Sequence, residues 1–175
     1  SNDIRLNEAL FRRVKAVYDQ RGDLSLTAEQ QTLLEKTYKG FTRNGANLSL
    51  NDKERLREID KQLASLKLKF SENVLSETQH YQWVITDKEQ LSGLPDFVLE
   101  MLAQEAQKRQ LKGWVITLDM PVYTAVMKYA DNRALRQKLF TDYHSRCAGE
   151  SAYNNEDNVL RIAQLRQTRA SLLGY

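Results

Sequence analysis

The chain is poor in the residues that interrupt regular structure, since its 175 residues include only 7 glycines and 2 prolines. An all-β protein needs many tight turns, where these residues are common. The scarcity of both therefore favours long helices. Cys147 is the only cysteine, which excludes an intrachain disulfide. We interpret its thiol as a small core group on a helix, because no third group is evident that could orient His144, one turn earlier, as its base.

An excess of charge of one sign is also lacking. The 26 basic and 23 acidic residues leave a net charge of +3, spread along the chain. Nucleic-acid binding would need clustered Lys and Arg, so we expect no nucleic-acid partner. No stretch approaches the ~20 apolar residues of a membrane span, so we expect no membrane partner either. Apolar residues at 41% and charged residues at 28% are typical of a folded globular protein.

Histidine is scarce, with only His80 and His144 in the chain. A zinc peptidase helix needs two His four positions apart, a Glu as base and a third ligand. Glu77 and His80 form one Glu-x-x-His pair, but di-iron bundles need two such pairs and further Glu ligands. No glycine-rich phosphate loop and no G-x-S-x-G elbow occurs. The sequence therefore predicts no catalytic, cofactor-binding or metal-binding residue in this chain.

Helical periodicity fills most of the sequence. It predicts a helix over 3–20 that is ended by Gly22, and a second helix opened by the capping-box pair Thr27 and Gln30. A third start signal at Asn51 opens the longest pattern, over 51–78. The expected buried positions of these three helices are Leu6, Leu10, Val14, Val17, Leu34, Tyr38, Phe41, Leu56, Ile59, Leu63, Leu66, Phe70 and Val74.

The period then changes at two short runs, 81–86 and 114–118, which are β-branched and aromatic as strands prefer. They should pair as a ribbon, and the helix between them leaves the strand direction open. That helix begins near Pro95. Further helices follow Pro121, then Asp131 or Asn132, and a last one over 158–175 ends at Gly174. The helix after Pro95 should bury Phe97, Val98, Met101, Leu102 and Ala106. The helix after residues 131–132 carries Leu135, Leu139, Phe140, Tyr143 and His144.

These patterns predict a mainly α fold, a multi-helix antiparallel bundle with a long central helix and a small two-stranded β ribbon. No linker or composition break divides 1–175, so we expect a single helical domain. Ser1-Asn2 resembles the residue of a cleaved expression tag, which hides the natural N-terminus.

Six blocks in order resemble the thimet oligopeptidase, oligopeptidase A and peptidyl-dipeptidase family of zinc metallopeptidases, with bacterial peptidyl-dipeptidases the most similar. The last block ends in L-R-x-x-R-A-x-L-L-G-Y. The blocks occupy residues 10–18, 33–48, 70–75, 93–95, 131–140 and 158–175.

The resemblance implies a segment upstream of the H-E-x-x-H helix, the excised non-catalytic lobe of a larger peptidase. In this family that side helps wall a channel that admits short unstructured peptides. The zinc of the parent enzyme and its water-activating Glu lie elsewhere, so the fragment is expected to be inactive and to hold no cofactor. The expected partners are the catalytic lobe of the same chain, short peptides in the intact enzyme, or a second copy through exposed apolar surface.

A stand-alone helical interaction domain without enzymatic activity is the alternative. It would present a groove for a partner along the long helix. We expect the parent protein in the cytoplasm, and the hidden N-terminus leaves the periplasm open.

Overall fold

The computed structural model describes residue 4 and residues 6–175. The interpretation of Ser1-Asn2 as a tag remnant lies outside these residues. Seven α-helices and two strands follow one another in the part described. They are α1 (Glu8–Asp19), α2 (Ala28–Thr42), α3 (Leu50–His80), β1 (Trp83–Ile85), α4 (Asp96–Lys108), β2 (Trp114–Ile116), α5 (Met120–Tyr129), α6 (Arg133–His144) and α7 (Glu156–Leu172). This confirms the mainly α fold with one long helix and a small ribbon.

The chain forms two compact units. The first comprises the chain up to Leu66 together with Leu160–Tyr175, and the second comprises Lys67–Val159. That 1–175 acts as one domain stays a prediction. Within residues 4 and 6–175, no helix has the length and apolar content that crossing a bilayer requires.

Local signals fix both ends of α2 in the first unit. The side chain of Thr27 accepts the Gln30 N–H while the Gln30 side chain accepts the Thr27 N–H, which is the predicted capping box. Past the other end, Gly45 has a φ of +92° and the Ala46 N–H donates to Phe41 O. A left-handed glycine with this bond is the Schellman arrangement, which satisfies carbonyls left open at a helix end.

Helix α1 differs from its prediction in two respects. Its interior residue is Phe11, whereas Leu10 and Val17 are exposed. Phe11 and Phe41 pack with their ring centroids 5.7 Å apart and form a small cluster with Ala46. The helix ends at Asp19 with Gln20 as its C-cap, so the assignment of the cap to Gly22 was wrong.

The N-cap of helix α3 lies two residues before the predicted one. Ser49 Oγ accepts the Asp52 N–H at 3.1 Å and donates to the Asp52 carboxylate at 2.8 Å, so Ser49, and not Asn51, starts the helix. Leu63 belongs to the buried stripe as expected, whereas Phe70 is exposed. In the first unit Ile59 and Leu63 pack against Leu165 of α7.

The ribbon of the second unit is antiparallel, which settles the direction that the sequence left open. Trp83 pairs with Ile116, and Ile85 with Trp114. Gly113 precedes β2 with a φ of +93°. A Cβ there would lie 2.2 Å from Ile85 O, so only glycine allows the two backbones to approach this closely.

One continuous core fills the second unit. It joins the ribbon to α4, α5 and α6 and includes Val98, Leu102, Val126 and Leu139, each fully buried. Phe97, expected in the buried stripe of α4, is 62% exposed, and the ring of Phe140 on α6 is 48% exposed.

The caps of the later helices follow the sequence closely. Asn132 accepts the Leu135 N–H and so caps α6, which decides between Asp131 and Asn132. Gly174 has a φ of +83°, and the Tyr175 N–H donates to Ala170 O at 3.0 Å. The predicted left-handed end of α7 is thereby confirmed.

Candidate functional site

His80 is the last residue of α3 and is exposed. Its Nδ1 lies 2.7 Å from Ser76 O, and the Tyr153 hydroxyl lies 3.3 Å from the same nitrogen. Both contacts involve Nδ1, so they orient the imidazole ring against the end of α3 and residue 153.

Glu77, the partner of His80 in the Glu-x-x-His pair, binds a loop of the second unit. Its Oε2 accepts the Cys147 N–H at 2.6 Å and the Ser151 hydroxyl at 2.7 Å. Among the described residues no group of three or more His, Cys, Asp or Glu is placed to hold a metal ion. Glu77 therefore acts as a structural acceptor for this loop.

The Cys147 thiol is buried, as predicted for a small core group. It does not lie on a helix, because α6 ends at His144, and Cys147 takes a left-handed φ of +59°. Burial, together with the hydrogen bond to Glu77, raises the pKa of Cys147 to about 11. His144 is held by its own helix, with Nδ1 2.9 Å from Phe140 O. A thiol that stays protonated near neutral pH is a poor nucleophile, so this pair has the properties of structural residues.

A buried asparagine lies at the centre of a polar network in the second unit. The Asn155 side chain donates to Phe70 O at 3.1 Å and accepts from Asn73 at 2.9 Å and from Asn158 at 2.8 Å. Its N–H donates to Cys147 O at 2.8 Å. Sequence reasoning did not single out Asn155. The available signal was the pair Asn154-Asn155, because a helix needs only one Asn as its N-cap and the second is free for another role.

An apolar groove of about 500 Å³ lies between α1 and α2 in the first unit. Val14 and Val17 form one wall, and Leu26, Leu33 and Leu34 form the other. Leu33 is 67% exposed, so the groove is open to solvent. Sequence reasoning missed it, because it assigned Val14, Val17 and Leu34 to a closed core.

Helix α7 carries less exposed apolar surface. Val159 and Leu160 are exposed near its start, whereas Leu165 is buried. Most exposed positions further along are polar, including Gln164 and Arg166. The groove therefore offers a wider apolar surface in the first unit than the face of α7.

No family model matches the chain. It is 35% identical to the probable cytosolic oligopeptidase A of Arabidopsis thaliana over 98% of this chain and 26% of the relative. Oligopeptidase A of Escherichia coli K12 is 29% identical over 97% of this chain and 25% of the relative. Dipeptidyl carboxypeptidase of the same organism is 30% identical over the whole chain and 26% of the relative.

The chain spans about a quarter of the length of these curated relatives. Identity to the plant oligopeptidase A is not below identity to the dipeptidyl carboxypeptidase, so the comparisons do not favour the peptidyl-dipeptidase branch within the family. Similarity over nearly every residue of the chain, rather than over one motif, carries the assignment. Over nearly its whole length the chain is homologous to about one quarter of the proteins of the oligopeptidase A and dipeptidyl carboxypeptidase family.

Proposed function

We propose that this chain is the non-catalytic, channel-wall segment of a zinc-dependent oligopeptidase that hydrolyses short peptides. The observation that carries this proposal is similarity over 97–100% of the chain to one quarter of oligopeptidases, in a sequence whose two His do not form an H-E-x-x-H motif. In the intact enzyme the zinc would activate a water for peptide hydrolysis. None of its ligands is assigned to a residue of this chain.

The apolar groove supports a role as one part of a larger protein. Large exposed apolar surfaces on a folded unit commonly mark the place where another surface binds. We propose that the catalytic lobe of the same parent covers Val17 and Leu33. The relatives have about three further quarters of sequence from which such a lobe can come. We place the parent in the cytoplasm, in keeping with the cytosolic relative in Arabidopsis.

A peptidase assay of the chain with zinc tests the absence of catalysis. Incubation with a mixture of short fluorogenic peptides should give no turnover above buffer. The double variant His80→Ala/His144→Ala identifies the source of any signal. Cleavage that persists in this variant comes from a contaminant. Chelator-sensitive cleavage that the variant loses comes from the chain and overturns the proposal.

A trans-complementation experiment tests the partner. The remaining part of the parent enzyme, expressed separately, should bind this chain, and peptide hydrolysis should appear only in the mixture. Leu33→Asp should weaken this binding, because it places a charge in the groove. Lys36→Asp, at an exposed position on the same helix that does not line the groove, is the matched control. Equal binding by both variants would exclude the groove as the covered surface.

The alternative, a stand-alone interaction domain, is favoured by the open groove alone. It predicts that the natural gene ends at Tyr175, which sequencing the gene beyond this point would decide. A homodimer through the groove would appear in sedimentation equilibrium as a mass twice that of the chain, and Leu33→Asp would abolish it.

A further inference from the structure

A second pocket, of about 250 Å³, lies between α5 and α6 in the second unit. Two guanidinium groups and one amide line it, from Arg133, Arg136 and Gln137. Met127 and Phe140 supply a thioether and an aromatic ring beside them. Basic and apolar groups therefore face the same small volume.

The Arg136 side chain is held in place by the end of the preceding helix. Its Nη1 donates to Ala130 O and, at 2.9 Å, to Asp131 O. A guanidinium has five N–H donors in a fixed plane. Among the described residues these two carbonyls are the acceptors that Arg136 contacts, so Nε and Nη2 keep free donors. Such a fixed guanidinium is suited to bind a carboxylate, since little conformational freedom is lost on binding.

Arg133 has no structural role in the fold as described. It is exposed, and no ion pair to it occurs among residues 4 and 6–175. It lies three positions before Arg136, so the two guanidinium groups share one face of α6. Like charges at this spacing repel one another. The nearby Asp131 carboxylate is bound by the Ser92 hydroxyl at 3.0 Å. A bound anion would relieve the repulsion.

The apolar wall restricts which anion fits. Phe140 is 48% exposed, with its ring centroid 4.1 Å from that of His144. An inorganic anion bound to the arginines would leave the exposed ring of Phe140 in contact with water. A peptide ending in an aliphatic residue carries its α-carboxylate and its apolar side chain on one Cα, so both would enter a pocket of this size together.

We propose that the pocket formed by Met127, Arg133, Arg136, Gln137 and Phe140 binds the C-terminal residue of a peptide, with the α-carboxylate on the two arginines and an aliphatic side chain against Met127 and Phe140. Only contacts within the second unit support this site. It does not depend on the proposed function, and its test involves no peptide hydrolysis.

Methionine methyl NMR on the full chain tests the site, because Met127 lines the pocket and the other two methionines, Met101 and Met120, do not. The probes are N-acetyl-leucine, N-acetyl-leucinamide and inorganic phosphate at low salt. We expect a saturable shift of the Met127 methyl resonance with N-acetyl-leucine, and an affinity at least tenfold lower for both other probes. The methyl resonances of Met101 and Met120 should not move.

Arg133→Gln should weaken N-acetyl-leucine binding at least tenfold with an unchanged Tm, because Arg133 makes no contact that the fold needs. Arg136→Lys keeps the positive charge but loses the planar set of N–H donors, so it should also weaken N-acetyl-leucine binding. Arg166→Gln, at an exposed arginine of α7, is the matched control and should bind normally.

Four results would overturn the site. Equal shifts with the amide would indicate apolar contact alone, and equal affinity for phosphate would indicate an unselective basic surface. An Arg133→Gln variant that binds as tightly as the wild type would exclude the arginine pair. A shift of Met127 that never saturates would exclude a defined pocket.

Discussion

The two compact units bury their apolar residues in different ways. The second unit joins twelve buried residues into one cluster across the ribbon and three helices. The first unit holds two separate clusters with three buried residues each. It also leaves Val17 and Leu33 open to solvent in the groove. Hydrophobic burial is the main favourable term in folding, so the second unit should carry more of its own stability than the first.

This difference bears on the partner proposed for the groove. A unit with one closed core gains little from further covering, whereas a unit with an open apolar groove gains stability from whatever fills it. Four sets of substitutions test this comparison, in order of decreasing expected effect.

The largest effect is expected from cavities in the two cores. Leu102→Ala empties a fully buried site in the second unit and should lower the free energy of unfolding by about 4 kcal/mol. Leu63→Ala in the smaller cluster of the first unit should cost about 2 to 3 kcal/mol, because its surroundings can collapse more easily. Urea unfolding followed by circular dichroism measures both.

Leu33→Ala is the matched control for these cavities. It makes the same chemical change at a position that is 67% exposed, so it should change the unfolding free energy by less than about 0.5 kcal/mol. If Leu63→Ala cost as much as Leu102→Ala, the two units would not differ in how well their cores are packed. A large loss with Leu33→Ala would mean that the groove is closed in solution.

The next effect concerns glycines with a left-handed backbone. At Gly113 a Cβ would meet the backbone oxygen of Ile85 at 2.2 Å, so Gly113→Ala must push the ribbon apart. We expect a loss of about 3 kcal/mol from backbone strain and overpacking together. At Gly45 the nearest atoms are the ends of Leu56 and Leu48 side chains, at 2.7 and 2.9 Å, which can shift. Gly45→Ala should therefore cost less, about 2 kcal/mol.

Gly22→Ala is the control for these two variants, because an alanine there introduces neither backbone strain nor a steric clash. Its Cβ would meet nothing within 4 Å, and its φ lies outside the left-handed range. The alanine restricts the unfolded chain, so the variant should be unchanged or more stable by up to about 1 kcal/mol in thermal unfolding. If Gly113→Ala and Gly45→Ala lowered the free energy of unfolding equally, a clash of the new Cβ with backbone atoms would cost no more than a clash with side-chain atoms.

Local signals in the sequence predicted most of the helices and two of their caps. Thr27 with Gln30, and Gly174, each depend on atoms within one or two turns, so residue type and spacing suffice. The exposed ring of Phe97 was mispredicted because it lies next to a buried stripe position. A periodic pattern places an apolar residue near a face but cannot determine which neighbour is present to cover it.

The groove, the Asn155 network and the α5–α6 pocket could not be predicted for a related reason. Each depends on how different elements pack against one another, and in the Asn155 network the contacting residues Asn73 and Asn155 are 82 positions apart. The scarcity of His was sufficient to argue against a zinc helix, since that argument requires only counting and spacing. Tertiary proximity has no such signature in a single sequence.

A smaller loss is expected from the buried network of the second unit. Asn155→Ala removes the side chain that accepts from Asn73 and Asn158 and donates to Phe70 O. Polar groups left unpaired in the interior should lower the unfolding free energy by about 2 kcal/mol. Asn51→Ala, at an exposed position of α3, is the control and should be neutral within about 0.5 kcal/mol. Equal stability of the two variants would mean that water replaces the Asn155 contacts.

The smallest effect concerns the acid sensitivity of one ion pair in each unit. In the second unit, the hydrogen bond from Arg109 at 2.7 Å lowers the pKa of Glu105 below its ordinary value of 4.5. In the first unit, the hydrogen bond from Lys53 lowers the pKa of Glu8. A lowered folded pKa gives stability that is present above the unfolded pKa and is lost as pH falls through the folded pKa.

Glu105→Gln should therefore be less stable than the wild type at pH 7, by under about 1 kcal/mol, and the difference should vanish well below pH 4.5. Glu8→Gln should follow the same direction, with an additional penalty at neutral pH because the Lys53 side chain, 7% exposed, loses its partner. Urea unfolding at pH 7 and at pH 3 measures both, with the exposed Glu72→Gln as control. If the gap between Glu105→Gln and the wild type widened toward acid, the Arg109 contact would not be what lowers this pKa. If Glu8→Gln were as stable as the control at every pH, the Glu8–Lys53 ion pair would contribute nothing to the stability of the first unit.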